Sequence, residues 1–284
     1  MPVVQARLLG VPVFEVDGRT LPTGGGRVPA LLGYLVASRQ VHARERLASL
    51  LWPDVPERNA LASLRTALYD ARRILGPASD LLFVERTRVG VRAEFLGALD
   101  LAKLEAGALD GERFDAASAE AAVAAYGGEF LEGISVPDAP EYDDWLFVER
   151  DRCHNLFLHA AWRLGRDHAA NGRYEQAAGF ARRVLAVDPL REEVHRALML
   201  FLAKSGQRAA AIAQYQACAA LLERELGIEP LGSTTDLLER IKANEPLAES
   251  EDGPTPVARA AIDRARHALR RASLPAPLAE QAGP

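Results

Sequence analysis

Between Glu57 and Gly76 the apolar residues Leu61, Leu64, Leu68, Ala71 and Leu75 recur at steps of three and four, which places them on one side of a helix. That side has to be buried. The opposite side carries Asn59, Ser63, Thr66, Tyr69 and Arg73, while Arg58, Arg65 and Arg72 lie seven apart and form a row along one edge of the stripe. Trp52-Pro53-Asp54-Val55-Pro56 precedes the stretch and Gly76-Pro77 follows it, so the pattern predicts a bounded helix of roughly 28 Å. A helix of that length fits a DNA major groove, although an ordinary surface helix has the same pattern.

On either side of this stretch the periods change. Residues 5–22 alternate apolar and polar around Val11, Val13 and Val16 and break at Gly10 and at Asp17-Gly18, which predicts short antiparallel strands. Two helices are expected next: one over Val28–Ser38 with Leu31, Leu32, Leu35 and Val36 inward, the other over Ala43–Leu51 with Leu47, Leu50 and Leu51 inward. After the long helix, Leu81–Glu85 and Val89–Arg92 read as a hairpin whose tip is Arg86, Thr87 and Arg88. Strands, three helices and a terminal hairpin make a winged helix-turn-helix, with the last helix offered to the groove and the hairpin as the wing. Its apolar stripes suffice for a small core of its own over residues 1–95.

From about Asp100 the pattern is helical almost throughout, and it repeats. Asn171–Ala177 (NGRYEQA) aligns with Ser205–Ala211 (SGQRAAA) at an offset of 34 residues, the period of tetratricopeptide helix pairs. Leu164, Gly165, Tyr174, Ala177 and Pro189 in one unit, and Leu198, Ala211, Tyr215 and Cys218 in the next, stand where such a repeat needs them. A plain helical bundle would use the same core residues with different stacking. A helix near Ala116–Tyr126 and a long one over Glu141–Ala170 precede the repeats; a last repeat helix, Gln207–Leu226, and a closing one, Gly232–Asn244, complete them. Residues 245–256 are charged and proline-rich and read as a linker before a final arginine-bearing helix over Val257–Ala272, expected to be solvated and partly ordered, with nucleic acid or the repeats as its alternative contacts.

Charge sharpens this division. The chain carries −5 overall, yet residues 1–95 hold 13 Arg against 9 acids, and residues 96–245 hold 16 bases against 25 acids. A basic first third suits an anion-binding module, with the caution that 31 Arg against 3 Lys also reflects a compositional bias. Thr23–Arg27 (TGGGR) lacks the Lys-Ser/Thr of a phosphate-cradling loop. Cys153 and Cys218 have no metal or redox spacing and are expected to be reduced, and six scattered histidines form no catalytic or metal-ligating constellation, so neither an enzyme nor a cofactor or metal is expected. No signal peptide or apolar run of about 20 residues is visible, so the chain is expected in the cytoplasm, away from membranes.

RLLGVPVFEVDGR, ALLGYLVASRQVHARERLASLLWPD, SLRTALYDARRILG, EFLEG and the repeats closing on LGIEP together resemble the Streptomyces antibiotic regulatory protein family of transcription activators. The likeness covers residues 6–245 and departs from the family at two places. Val28-Pro29 stands where a basic residue usually begins the first helix, and Gly90-Val91 where the wing usually has a Gly-aromatic pair. The resemblance implies a mainly α protein, with a winged helix-turn-helix (α+β) over residues 1–96 and a tetratricopeptide-like activator domain over 97–245; the linker and helix over 246–284 lie outside it. It also implies that Ser63, Arg65, Thr66, Tyr69, Arg72 and Arg73 meet double-stranded DNA and that the turn around Trp52, Asp54 and Pro56 faces RNA polymerase.

The angular positions on the helix divide these roles. Asn59, Ser63, Thr66 and Arg73 can meet base edges, the row of Arg58, Arg65 and Arg72 suits phosphates, and Arg86 and Arg88 suit a neighbouring minor groove or its phosphates. Trp52 serves either the core or a partner, and Asp54 either caps the next helix or is held out by Pro53 and Pro56. The repeats are expected to contact a second copy or another protein. A different class remains open: a repeat scaffold whose first domain binds protein rather than DNA.

Overall fold

The computed structural model describes residues 4–21, 26–92, 99–108 and 114–247. The linker and final helix expected beyond Leu247, and most of the glycine-rich loop at Thr23–Arg27, lie outside the described residues. The chain opens with an antiparallel sheet of β1 (Val4–Arg7), β2 (Val13–Val16) and β3 (Arg19–Leu21), in that order, with Ala6 opposite Phe14 and Phe14 opposite Leu21. Asp17 and Gly18 both take positive φ, the mirror-image turn that matches strand twist. The inward phase differs from the expected one. Pro12, Phe14 and Val16 point inward, whereas Val11 is 68% exposed and Val13 only half-buried, because a period of two cannot put positions 11, 13 and 16 on one face.

Three helices follow: α1 (Arg27–Ser38), α2 (Arg44–Leu51) and α3 (Glu57–Leu75). Leu31, Leu32, Leu35 and Val36 of α1, and Leu47, Leu50 and Leu51 of α2, are buried as their spacing predicts. On α3 the buried stripe is Ala60, Leu64, Ala67, Leu68, Ala71 and Leu75, and Leu61 sits half-buried at its margin. A 3₁₀ turn, Gly76–Leu81, leads into the hairpin of β5 (Leu82–Val84) and β6 (Arg88–Val91). The hairpin has a third strand that periodicity does not reveal. β4 (His42–Ala43), just before α2, pairs with β6, so the sheet runs β4-β6-β5 and ties the wing to the helix-turn-helix.

The second half is helical: α4 (Asp100–Ala108), α5 (Ala116–Ala125), α6 (Pro140–Ala170), α7 (Tyr174–Val187), α8 (Glu192–Lys204), α9 (Arg208–Leu226) and α10 (Gly232–Ala243). The sequence pattern does not delimit α4, which is only nine residues long, although its buried Leu101, Leu104 and Ala108 fall at helical spacing. The 34-residue offset is realised bond for bond at the two turns. Arg173 N–H donates to the His168 carbonyl and Gln207 N–H to that of Leu202, both at 2.8 Å. At the same points Gly172 and Gly206 take φ of 72° and 82°, a left-handed position that favours glycine. Helix pairs α6–α7 and α8–α9 therefore stack as repeats, and α10 closes the stack against α8 and α9.

The two halves share one core. A single cluster of buried apolar residues runs from Ala6 to Ile241. The Asp100 carboxylate accepts the N–H groups of Leu8 and Leu9 at 2.8 Å each, and also that of Leu101. Between Gly10 and the segment after α5, Gly10 N–H donates to Glu129 and Glu132 N–H donates back to Gly10. Leu131 presses so closely on α1 that a Cβ on Gly33 would lie 2.5 Å from its side chain. The most deeply buried polar feature of this seam is Glu105, which receives Arg39, the residue that caps the end of α1, and Arg152 from α6.

Candidate nucleic-acid interface

Helix α3 is held from behind by α1 and α2, which cover its apolar stripe, and this decides what remains outside. Arg58, Asn59, Arg65, Thr66, Arg72 and Arg73 are exposed, and Tyr69 is 68% exposed. Ser63 is half-buried, at the margin rather than the centre of the free face. Arg58, Arg65 and Arg72 have no ion pair or hydrogen bond among the described residues, so their guanidinium groups are free to meet an anion. Two other side chains of the set are already engaged. Arg73 pairs with Asp70 at 3.2 Å, and the Thr66 hydroxyl donates to the Ala62 carbonyl at 3.3 Å.

The wing tip is likewise exposed at Arg86 and Arg88, with Arg88 3.6 Å from Glu85. Its position is set by main-chain bonds. Glu85 N–H donates to the Arg88 carbonyl at 2.8 Å, and Arg44 N–H, at the start of α2, donates to Thr87 at 2.9 Å. The wing is thus fastened to the helix-turn-helix through α2 and β4, and a rigid tip loses little entropy when it binds.

Between α2 and α3, Trp52, Asp54 and Pro56 fall into different environments. Trp52 is half-buried against the core under the Arg27 guanidinium, which lies 5.5 Å from its ring centroid. Pro56 occupies the N-cap of α3 and supplies no side-chain cap, while its carbonyl accepts the N–H of Asn59 at 2.7 Å. Asp54 is exposed and makes no hydrogen bond among the described residues, so it does not cap α3.

Arg27 and Arg46 are positioning residues that sequence patterns do not single out. Helix α1 begins at Arg27, one residue before its expected start, so a basic residue does open it. That residue is committed inward: Nε donates to the Leu51 carbonyl at 2.9 Å and Nη2 to Pro137 at 3.0 Å. A cation at the last carbonyl of α2 also suits the helix dipole. Arg46 of α2 binds Glu141 of α6 through two contacts of 2.7 and 2.5 Å, and this guanidinium holds the Glu141 carboxyl below its usual pKa. Pro137 and Glu141 are 110 and 95 residues away from the arginines they receive, and no local signal announces them. Among the described residues, no cluster of His, Cys, Asp and Glu could hold a metal, and no helix is long and apolar enough to cross a membrane.

A winged helix-turn-helix with a free arginine row, fused through a shared core to tetratricopeptide-like repeats, defines a regulator-type architecture. The bacterial transcriptional activator domain matches residues 93–242, and the chain belongs to that family. It is 32% identical over 279 residues to the regulatory protein AfsR of Streptomyces coelicolor, covering 94% of this chain and 26% of AfsR. The transcriptional regulatory protein MoaR1 of Mycobacterium tuberculosis is 27% identical, over 86% of this chain and 81% of its own length. Among solved structures, Mycobacterium tuberculosis EmbR, in complex with a low-affinity phosphopeptide, shares the fold with a TM-score of 0.61. The match covers 95% of this chain and 71% of EmbR, at 20% identity. The resemblance to the Streptomyces antibiotic regulatory proteins is therefore borne out, and the matched relatives are transcriptional regulators. The chain spans about a quarter of the AfsR proteins that it matches.

Proposed function

We propose that this chain is a sequence-specific DNA-binding transcription activator that recruits RNA polymerase. The observation that carries the reading is the row of Arg58, Arg65 and Arg72, exposed along one edge of the buried stripe of α3 and without partners among the described residues. In this reading α3 lies in the major groove, with the arginine row on phosphates and Asn59, Ser63, Thr66, Tyr69 and Arg73 towards the bases. Engagement of Arg73 requires release from Asp70, and that of Thr66 a turn of its hydroxyl away from Ala62. Arg86 and Arg88 of the wing follow the adjacent backbone or minor groove. The turn of Trp52, Asp54 and Pro56 faces polymerase; within it Asp54 is the free acid, and Trp52 supports the turn from below. A regulator of this kind acts in the cytoplasm, and its repeats offer a surface to a second copy or another protein.

A salt series with the purified chain and its mapped operator tests the reading. Contact with several phosphates makes the logarithm of affinity fall linearly with the logarithm of salt concentration, with a slope of about −0.9 per phosphate neutralised. Affinity indifferent to salt would instead fit a repeat scaffold whose first domain binds protein.

A further inference from the structure

The turn proposed to face polymerase does not stand alone on its surface. Arg27 joins the end of α2 to Pro137, and Arg46 joins α2 to Glu141 in the first turn of α6. These two arginines place the start of α6 beside the helix-turn-helix. From there α6 has two unlike sides. Tyr142, Leu146 and Cys153 are buried, and Trp145 stacks edge-on against Tyr34 of α1 at 4.7 Å. The other side carries Glu141, Asp144, Phe147, Val148 and Asp151. Glu141, Asp144, Val148 and Asp151 recur at steps of three, four and three, so the face that Arg46 fastens to α2 continues outward to Asp151. At 1.5 Å per residue, Val148 stands about 10 Å along the helix from Glu141.

Phe147 is 74% exposed and Val148 60%, which makes Phe147 the most exposed large apolar side chain among the described residues. A single exposed apolar residue is ordinary; an adjacent pair bordered by acids without ion pairs is the start of an apolar patch that a partner could cover. Asp143, Asp144 and Asp151 make no ion pair among the described residues, whereas Arg150 and Arg152 on the same helix are turned away, to the Phe130 and Leu131 carbonyls and to Glu105 and Glu149. The face is therefore an apolar pair in an acidic frame with no base of its own, and its charge complement is a basic segment with one apolar anchor.

We propose that this face of α6 is the second half of the polymerase contact. It takes a basic amphipathic segment of RNA polymerase whose apolar side chain packs on Phe147 and Val148 and whose Lys or Arg residues meet Asp144 and Asp151. The inference rests on the reading of the turn at Asp54 as polymerase-facing and extends that contact into the activator domain, so that both halves of the chain hold one partner.

The test uses the full chain, RNA polymerase holoenzyme and a promoter carrying the footprint mapped for this chain. Phe147→Ser removes the anchor from a solvent-facing position and should leave folding and operator affinity unchanged while lowering transcription about tenfold, as for loss of one interface hot spot. Asp144→Asn with Asp151→Asn should lower it less, with the remaining activation less sensitive to salt. A photo-crosslinking aromatic at position 147 should attach to a polymerase subunit; attachment only to a second copy of the chain, or to nothing, overturns the proposal. Asp54→Asn separates the two readings. If that variant loses transcription and Phe147→Ser does not, the α6 contact is wrong and the turn stands. If Phe147→Ser alone loses transcription, the α6 contact stands and the turn is wrong. If both variants transcribe normally, both fall.

Discussion

Arg39 and Arg152 close on Glu105 within the seam between the two halves, whereas Arg58, Arg65 and Arg72 stand on α3 with no partner among the described residues. All five belong to a chain in which Arg outnumbers Lys by 31 to 3, so residue type alone does not separate them. Surroundings do. Glu105 is 5% exposed, and burying its charge is tolerable only because two guanidinium groups compensate it. The α3 row keeps its hydration and can exchange water for phosphate without first breaking an internal pair. Buried arginine holds the halves together; exposed arginine is available to a partner.

The largest effect should come from cutting the seam. A fragment ending at residue 96 loses Asp100, Glu105 and the segment at Glu129–Glu132 that holds the first strands. Hydrogen bonds to a carboxylate contribute about 1.5–3 kcal/mol each. The amides of Leu8 and Leu9 should then exchange on the order of 10,000-fold faster in the fragment than in the whole chain. Equal protection in both would show that the first 96 residues are self-sufficient, as their apolar stripes by themselves suggest, and would dissolve the contrast.

Next in size is Glu105→Ala, which leaves two largely buried arginines without their acid. Loss of one partner from a buried pair costs about 3–5 kcal/mol, readable as a lowered urea midpoint. A change as small as that of an exposed variant such as Arg65→Ala would show that water compensates the site.

On α3 the same contrast predicts changes in binding with little change in stability. Arg65→Ala and Arg72→Ala should weaken all sequences alike and each reduce the salt slope by about 1. Thr66→Ala and Arg73→Ala should alter sequence preference by about 1–3 kcal/mol per lost base contact. A panel of altered operator sites checks this; if Arg65→Ala shifts preference and Thr66→Ala does not, the assignment of base-facing and phosphate-facing positions is reversed.

The smallest effect concerns pH. His42, His154 and His168 all have pKa values lowered, chiefly by burial, with Arg46 adding to the effect at His42. The unfolded chain takes up protons at these rings near pH 6.5, about their unperturbed value, while the folded chain resists. The unfolded state therefore binds more protons as pH falls, and stability declines from pH 7.5 towards 5. His42, beside Tyr34 and hydrogen-bonded to Ser38, lies at the joint of wing and helix-turn-helix. His42→Gln should flatten part of the decline in denaturation midpoint; an unchanged slope would assign it to the other two rings.

Several features that depend on near neighbours were legible in the chain. The buried stripe of α3 follows from residues three and four apart, the hairpin turn from Asp17-Gly18, and the two repeat turns from short motifs 34 residues apart. The helix also turned Arg58, Arg65 and Arg72 to one edge by its geometry alone. Tertiary structure decided what depends on distant partners: that β4 joins the wing, that Arg27 and Arg46 fasten α2 to the activator domain, and that Asp100 and Glu105 close the seam. It also decided that Asp54 has no partner among the described residues while Trp52 half-disappears beneath Arg27. The physical reason is range. Helix and strand periods are written in steps of two to four residues, whereas a charged side chain becomes a staple or an open contact only when folding brings, or fails to bring, its opposite within about 4 Å.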